Sequence, residues 1–248
     1  MKNLKYIICL ISCVILTACM CLKANADTMN DKKECIASIC AASASGNMKE
    51  LRLAYIHGLE NGISRGDLAD IMYLVGIFAG YPLAEASFDV ISSVNEERSV
   101  RGMTVTELPT EIAPVALDAK CQSSFLRTVK NTQLSQLSPS LGVEAFGAIS
   151  GALCGRGEMS FEYRAIAVIA TLAVTDLKGG LIKYQMKREL TFGVTENDLR
   201  TLISCISRII GPERTKSASA IIDECVAEHQ RELKEAVYIF EVNDGKPQ

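Results

Sequence analysis

Two similar stretches decide the fold of this chain: Asn61-Gly62-Ile63-Ser64-Arg65-Gly66-Asp67-Leu68 and, 131 positions later, Phe192-Gly193-Val194-Thr195-Glu196-Asn197-Asp198-Leu199. The same shift pairs Leu59 with Leu190, and Gly80 with Gly211, without any gap. Apolar positions match even where the residue types differ, as two copies of one packing unit require. The sequence therefore predicts a tandem repeat.

Each stretch is typical of a turn between two helices. Gly62 and Gly193 stand where a helix ends in left-handed backbone, which glycine adopts without steric strain. Ser64 and Thr195 each stand three residues before an aspartate, which is the spacing of a helix N-cap. Apolar residues then recur every three or four positions. We therefore predict a helical hairpin around each turn.

One further helix is predicted before each hairpin, at 31–44 and at 160–174. Alternation at period two, which a half-buried strand requires, is nearly absent, so the predicted fold class is all-α. The predicted domains are a signal peptide at 1–26, a first repeat at 31–100, a linker at 101–155, a second repeat at 156–227, and a C-terminal helix and tail at 228–248.

Composition excludes several classes of function. Apolar residues make up 48% of the 248 residues and charged residues 22%, as in soluble globular proteins. The formal net charge of −3 argues against a nucleic-acid surface. His57 and His229 are the only histidines, so a three-His zinc site within one chain is impossible. We predict no metal, no cofactor and no nucleic-acid partner.

The first residues are typical of an export signal. Lys2 and Lys5 precede an apolar run that is too short to span a bilayer. Two cleavage sites compete: the lipobox Leu16-Thr17-Ala18-Cys19, and the small-x-small pattern Ala24-Asn25-Ala26. The lipobox is the more specific pattern, and it makes Cys19 the lipid-bearing residue. We therefore predict a protein of the cell envelope or periplasm, held at the membrane only through a lipid anchor.

Export makes disulfide bonds chemically permissible. Six cysteines remain after the signal region: Cys35, Cys40, Cys121, Cys154, Cys205 and Cys225. Six cysteines allow fifteen pairings, so the sequence leaves the connectivity open. Cys35 and Cys40 share a helix but lie roughly 140° apart around it, so they cannot bond to each other. Buried free cysteines are the alternative to cross-links.

A set of short motifs in both repeats carries a family resemblance. The first repeat contains Lys33-Glu34-Cys35-Ile36-Ala37, Leu59-Glu60-Asn61-Gly62-Ile63-Ser64, Asp67-Leu68-Ala69-Asp70-Ile71 and Phe78-Ala79-Gly80-Tyr81-Pro82. The second contains Arg164-Ala165-Ile166-Ala167 and Asp198-Leu199-Arg200-Thr201-Leu202. In order and spacing the chain resembles exported two-copy members of the carboxymuconolactone decarboxylase family, in the alkylhydroperoxidase D-like superfamily. The resemblance implies a helical bundle in two tandem copies that assembles into homotrimers or homohexamers.

The resemblance also implies a site, of which this chain keeps only part. Active members carry a histidine eight residues before the helix-ending glycine, where this chain has Ala54 and Gln185. Peroxidase-type members, whose activity is of the peroxiredoxin type, add a C-x-x-C pair just upstream that is missing from both repeats. The helix-opening glutamate is present as Glu34, and Ala165 replaces it in the second repeat.

Three hypotheses for the function follow. The first is a non-catalytic oligomeric module with degenerate catalytic motifs that binds a small molecule or a protein partner. The alternative is an enzyme with residual peroxidase or with decarboxylase or lactone chemistry, in which Glu34 and His57 act as an acid/base pair. His57 lies three residues past the vacant position, almost one helical turn on, so its imidazole could enter the same pocket. An isolated reactive thiol, Cys35 beside Lys32 and Lys33, is a weaker third hypothesis.

Overall fold

The computed structural model describes residues 31–103, 105, 159–176 and 178–244. These ranges contain eight helices and no strand, which confirms the all-α prediction for this part of the chain. The predicted signal peptide with Cys19 and nearly all of the predicted linker lie outside the described residues. No helix in the described ranges combines the length and the apolar character that a membrane span requires.

The helices fall into two sets of four along the chain. Before the linker, α1 covers 31–45, and it is followed by α2 (Met48–Glu60), α3 (Arg65–Phe78) and α4 (Tyr81–Val100). After the linker come α5 (Phe161–Thr175), α6 (Gly180–Thr191), α7 (Glu196–Ile210) and α8 (Pro212–Asp244). The bounds of α1–α3 therefore recur in α5–α7 with the predicted shift to within one residue, and α4 and α8 begin at equivalent positions.

The turns before α3 and α7 have the predicted local structure. The backbone of Gly62 has φ of 76° and that of Gly193 has φ of 97°, both in the left-handed region. Ser64 and Asp67 form a reciprocal capping box at the start of α3, because each side chain accepts a hydrogen bond from the other residue's backbone N–H. Thr195 forms the same arrangement with Asp198 at the start of α7.

The core is built around α1 and α5. All nine residues from Ala165 to Ala173 are buried, so α5 is enclosed on every side. The first turns of α1 and α5 meet at Lys33 and Glu162, and their middles meet at Cys40 and Thr171, so the two helices run in parallel. Helix α5 also packs against α3, α6 and α7. The two sets of helices consequently share one hydrophobic core.

Ion pairs at the start of α1 connect it to three other helices. Lys32 Nζ lies 2.7 Å from Asp67 Oδ2 of α3. Lys33 Nζ lies 2.5 Å from Glu162 Oε1 of α5 and 3.7 Å from Asp198 Oδ1 of α7. Burial opposes the charged form of Lys33, but these two carboxylates together raise its pKa. The start of α1 is thereby fixed relative to the helices that surround it.

Candidate functional site

A cleft of about 390 Å³ opens where α1, α2 and α7 meet, and we call it the α1–α2–α7 cleft. Helix α7 comes from the second set of helices, so both halves of the chain contribute to its wall. Both residues of the predicted acid/base pair line this cleft. The full set of lining residues is Glu34, Cys35, Ser38, Glu50, Leu53, Ala54, His57, Cys205, Arg208 and Ile209. The structure thus brings Glu34 and His57 to one cavity.

Ala54, at the position where active members of the resembled family carry a histidine, is on the same wall. Ala54 lines the α1–α2–α7 cleft one helical turn before His57, and its methyl group leaves space where a larger side chain would project. His57 is exposed, whereas Glu34 is half-buried. The imidazole therefore lines the cleft from the neighbouring turn of α2.

Cys35 and His57 are in direct contact. Cys35 Sγ lies 3.3 Å from His57 Nδ1. The Cys35 side chain is only 2% exposed, and burial raises the pKa of its thiol to about 11. Lys32 and Lys33 are engaged by carboxylates of other helices and are absent from the cleft wall. The exposed, electropositive thiol of the third hypothesis is therefore wrong, because Cys35 points into the core side of the cleft.

A second cysteine faces the cleft from the opposite half of the chain. Cys205 is half-buried on α7, and its thiol donates to the backbone carbonyl of Leu202 at 3.1 Å. It also contacts the hydroxyl of Ser38 on α1. Burial, together with the nearby carboxylate of Glu34, raises the pKa of Cys205 to about 12. Both thiols in the cleft are consequently protonated at neutral pH.

An ion pair between two helices forms part of the wall of the cleft. Arg208 Nη2 of α7 donates to Glu50 Oε2 of α2 at 2.5 Å. The resemblance to the decarboxylase family would put one cysteine of a C-x-x-C pair where this chain has Glu50. This ion pair neutralises Glu50. Glu34, the other carboxylate of the cleft, forms no ion pair with any of the described residues. Glu34 also borders a small adjacent cavity of about 20 Å³, which is room for one water molecule.

The second-half equivalents of Glu34, Cys35, Ser38 and Cys205 are apolar and buried. Ala165, Ile166 and Ile169 stand where the first half has Glu34, Cys35 and Ser38, and all three are buried. Leu74 of α3 replaces Cys205 and is also buried. Apolar side chains thus occupy these α5 and α3 positions, whereas the α6 positions equivalent to Ala54 and His57 carry Gln185 and Arg188, so the two halves differ in chemistry while they match in helix bounds.

Gln185, at the second vacant histidine position, belongs to a buried polar cluster. Its Nε2 donates to Glu189 Oε1 at 2.6 Å, and Arg188 donates to the same oxygen from Nε and Nη2. Glu189 is fully buried, and its Oε2 has no hydrogen-bond partner in the described residues. Burial raises the pKa of Glu189, although Arg188 opposes that effect.

A second cleft, of about 380 Å³, lies between α5, α6 and α8. It surrounds the start of α6, where the carboxylate of Asp176 accepts hydrogen bonds from the backbone N–H groups of Lys178, Gly179, Leu181 and Ile182. The positive end of that helix is therefore already neutralised by the protein itself. This leaves the α1–α2–α7 cleft as the stronger candidate site.

The α7 residues that line the cleft were not predicted as site residues from the sequence. Cys205 stands three residues after Leu202 and four before Ile209, so its place on the apolar face of α7 was readable from the spacing. No spacing of apolar residues indicated that Arg208 or Ser38 would line the cleft. In the described ranges, no group of three or more His, Cys, Asp or Glu side chains is arranged to hold a metal ion.

Comparison with known proteins adds no family assignment. No protein-family model matches the chain, and no curated protein matches it.

Proposed function

We propose that the chain is a two-copy helical protein of the alkylhydroperoxidase D-like type whose α1–α2–α7 cleft binds a small molecule without converting it. In this proposal the first copy keeps a binding cleft, and the second copy serves as packing. The family's catalytic histidine and C-x-x-C pair have been lost from both copies, which removes the groups that carry out its chemistry.

The observation that carries this proposal is the contrast between the two halves. The cleft volume of about 390 Å³ is within the range of ligand pockets in proteins. Its wall combines apolar side chains with a few polar groups, among them Glu34 and His57. The equivalent of Glu34 in the second half is Ala165, which is buried in the core. Because the carboxylate of Glu34 has no counterpart in the second half, the polar lining of the cleft supports a role in binding better than a role in folding.

Ligand-detected NMR and thermal unfolding with a library of small organic fragments test the proposal. A fragment that binds the folded state raises the unfolding temperature by mass action. Ala54→Leu should abolish this rise, because the added side-chain atoms would project into the cleft. Ala227→Leu is the matched control, since Ala227 is an exposed residue of α8 away from the cleft. Binding that survives Ala54→Leu, or a library without a binder, would contradict the proposal.

The second candidate function is residual catalysis in the same cleft. It is favoured by one observation, namely that Glu34 and His57 line one cavity and could share a proton transfer. The reaction would be peroxide reduction or decarboxylation of a lactone-type substrate, by analogy with the resembled family. The high pKa of Cys35, about 11, weakens the peroxidase option because the thiolate is the reacting form.

Turnover assays separate the two candidates. Peroxide reduction with a dithiol donor and decarboxylation of lactone substrates are measured on the unaltered chain, on Glu34→Gln and on His57→Ala. Catalysis predicts a rate that both substitutions abolish while helical content and melting temperature stay unchanged. Fragment binding without any rate supports the binding function, and a rate that both variants retain removes Glu34 and His57 from the mechanism.

The proposal includes assembly into a homotrimer or homohexamer and export with a lipid at Cys19. Exposed apolar side chains on and beside α6, namely Leu181, Tyr184 and Phe192, support a subunit contact. Light scattering after size-exclusion chromatography measures the subunit number. Tyr184→Glu should lower that number, and a strictly monomeric unaltered chain would exclude the assembly. Mass spectrometry of the mature N-terminus tests the lipid.

A further inference from the structure

We propose that Cys35 and Cys205 form a reversible disulfide bond across the α1–α2–α7 cleft, by thiol–disulfide exchange with a small disulfide compound such as oxidised glutathione and with His57 as the proton acceptor. The bond would join the first helix of one half to the third helix of the other. The inference goes beyond the proposed function and does not depend on it, because the bond is measured on the protein without a ligand.

The first support is the placement of the two thiols. Both line one cleft from facing helices, Cys35 on α1 and Cys205 on α7. The Cys205 thiol contacts the hydroxyl of Ser38, which lies three residues after Cys35 on the same face of α1. Residues at this spacing have Cβ atoms about 5–6 Å apart. A change of side-chain rotamers together with a small shift of one helix would therefore bring the two sulfurs to bonding distance.

The other described cysteines are held elsewhere. Cys40 is buried against Thr171 in the contact between α1 and α5. Cys225 is buried on α8, and its thiol donates to the backbone carbonyl of Lys183 at 3.5 Å. Neither residue lines the α1–α2–α7 cleft. Cys35 and Cys205 are thus the one thiol pair of the described residues that lines this cleft.

The second support is that the two thiols differ in exposure and in partners. Cys205 is half-buried and open to the cleft, so an incoming disulfide reaches it first. Its sulfur forms a bond to one sulfur of the reagent, and the other leaves as a free thiol after taking up the proton of Cys205. The product is a mixed disulfide on Cys205, which sits in the cleft opposite Cys35.

Cys35 then completes the exchange. Its sulfur attacks Cys205 Sγ, the mixed disulfide breaks, and the second half of the reagent leaves as a thiol. His57 Nδ1, at 3.3 Å, accepts the proton of Cys35 and passes it to the leaving thiolate through the cleft. In total, two protein thiols are oxidised to one disulfide, and one reagent disulfide is reduced to two thiols. A dithiol reductant reverses both steps.

The experiment uses the mature full chain in buffers of oxidised and reduced glutathione, quenched with acid and analysed by mass spectrometry without reduction. The expected product has lost two hydrogen atoms and yields a tryptic cross-link between peptides 34–49 and 201–208. Dithiothreitol should restore the starting mass. Peptide 34–49 also contains Cys40, so a Cys40→Ser variant must give the same cross-link, and Cys225→Ser is a second control.

Two variants test the order of the steps. Cys35→Ser should stop the reaction at a glutathione adduct on Cys205, and Cys35→Ala repeats the test if the serine variant folds poorly. His57→Gln should slow the second step at least tenfold, so that the same adduct accumulates before the cross-link appears. The inference is overturned if the unaltered chain keeps a stable adduct on Cys205, links Cys205 to another cysteine, or does not react. It is also overturned if His57→Gln leaves the rate of the second step unchanged.

Discussion

The thiol of Cys35 lies 3.3 Å from the imidazole Nδ1 of His57, and this contact joins α1 to α2 at the wall of the α1–α2–α7 cleft. Because burial raises the pKa of Cys35 to about 11, the thiol keeps its proton at neutral pH and is able to donate it to Nδ1. When Nδ1 accepts this hydrogen bond, the imidazole carries its own proton on Nε2. We therefore expect Cys35 to position His57 and to favour this tautomer.

This relationship predicts the nitrogen chemical shifts of His57. In the unaltered chain at neutral pH, two-dimensional long-range ¹H–¹⁵N spectra should show Nε2 as the protonated nitrogen and Nδ1 as the unprotonated one. Cys35→Ala removes the donor, so the two tautomers should become mixed and the two ¹⁵N shifts should move toward each other. Cys225→Ala is the control, and His229→Gln assigns the signals. A proton on Nδ1 in the unaltered chain would contradict the role of Cys35.

Glu189 predicts a specific dependence of stability on pH. Burial raises its pKa above the usual value of 4.5, so the folded state holds this proton more tightly than the unfolded state does. Its contribution to the free energy of unfolding is therefore full below pH 4.5 and is lost as the pH rises through the folded-state pKa. Glu189→Gln removes the titration. Urea unfolding should show that the unaltered chain loses stability relative to this variant as the pH rises.

The comparison with the variant isolates Glu189, because the other titrating groups contribute equally to both proteins. Glu162→Gln is the control, since Glu162 forms an ion pair but is only partly buried. A difference in stability between the unaltered chain and Glu189→Gln that is constant with pH would mean that the carboxyl pKa is the same in the folded and unfolded states. A difference that grows in favour of the unaltered chain would mean that the carboxylate is ionised and stabilising in the fold.

Local sequence rules were sufficient for the helices and their ends. The positive φ of Gly62 and the capping box of Ser64 depend on neighbouring residues only, so a spacing rule could predict them. The burial of α5 followed from its nearly continuous apolar composition. The interior of the fold was accessible from sequence for the same reason, since hydrophobic periodicity reports burial directly.

The site required information that no single helix contains. Glu34 and His57 were predicted because both stand near positions of the resembled motif, and they do share a cavity. Cys205 and Arg208 belong to α7, more than 140 residues further along the chain, and they enter the cleft only because α1 packs beside the helices of the other half. Burial of Cys35 was likewise invisible, since a thiol after two lysines is compatible with either an exposed or a buried helix face.

The turn glycines predict a matched set of stability changes. A Cβ added at Gly62 or Gly193 would meet no atom within 4 Å, so Gly→Ala at either position tests the left-handed backbone alone. Each substitution should lower the free energy of unfolding by about 1–2 kcal/mol. Gly180→Ala also meets open space but has ordinary helical backbone, so it should be neutral or stabilising by up to about 1 kcal/mol. Urea unfolding of the three variants measures these differences, and equal effects at all three positions would contradict the assignment.

Asp70 predicts a larger loss, because it satisfies a buried backbone group far away in the sequence. Its Oδ2 accepts a hydrogen bond from the backbone N–H of Met159 at 3.0 Å, and both residues are almost fully buried. The bond ties α3 to the residue that precedes the N-cap of α5. Asp70→Ala leaves the Met159 N–H buried without this acceptor, which should cost about 1–3 kcal/mol in the free energy of unfolding. Asp70→Asn keeps an acceptor oxygen and should recover part of that loss.

Asp89→Ala, at an exposed position of α4, should change stability by less than about 0.5 kcal/mol. If Asp70→Ala and Asp89→Ala were equally stable in urea, the second half of the chain would not depend on this contact, and α3 and α5 would be held together by apolar packing alone.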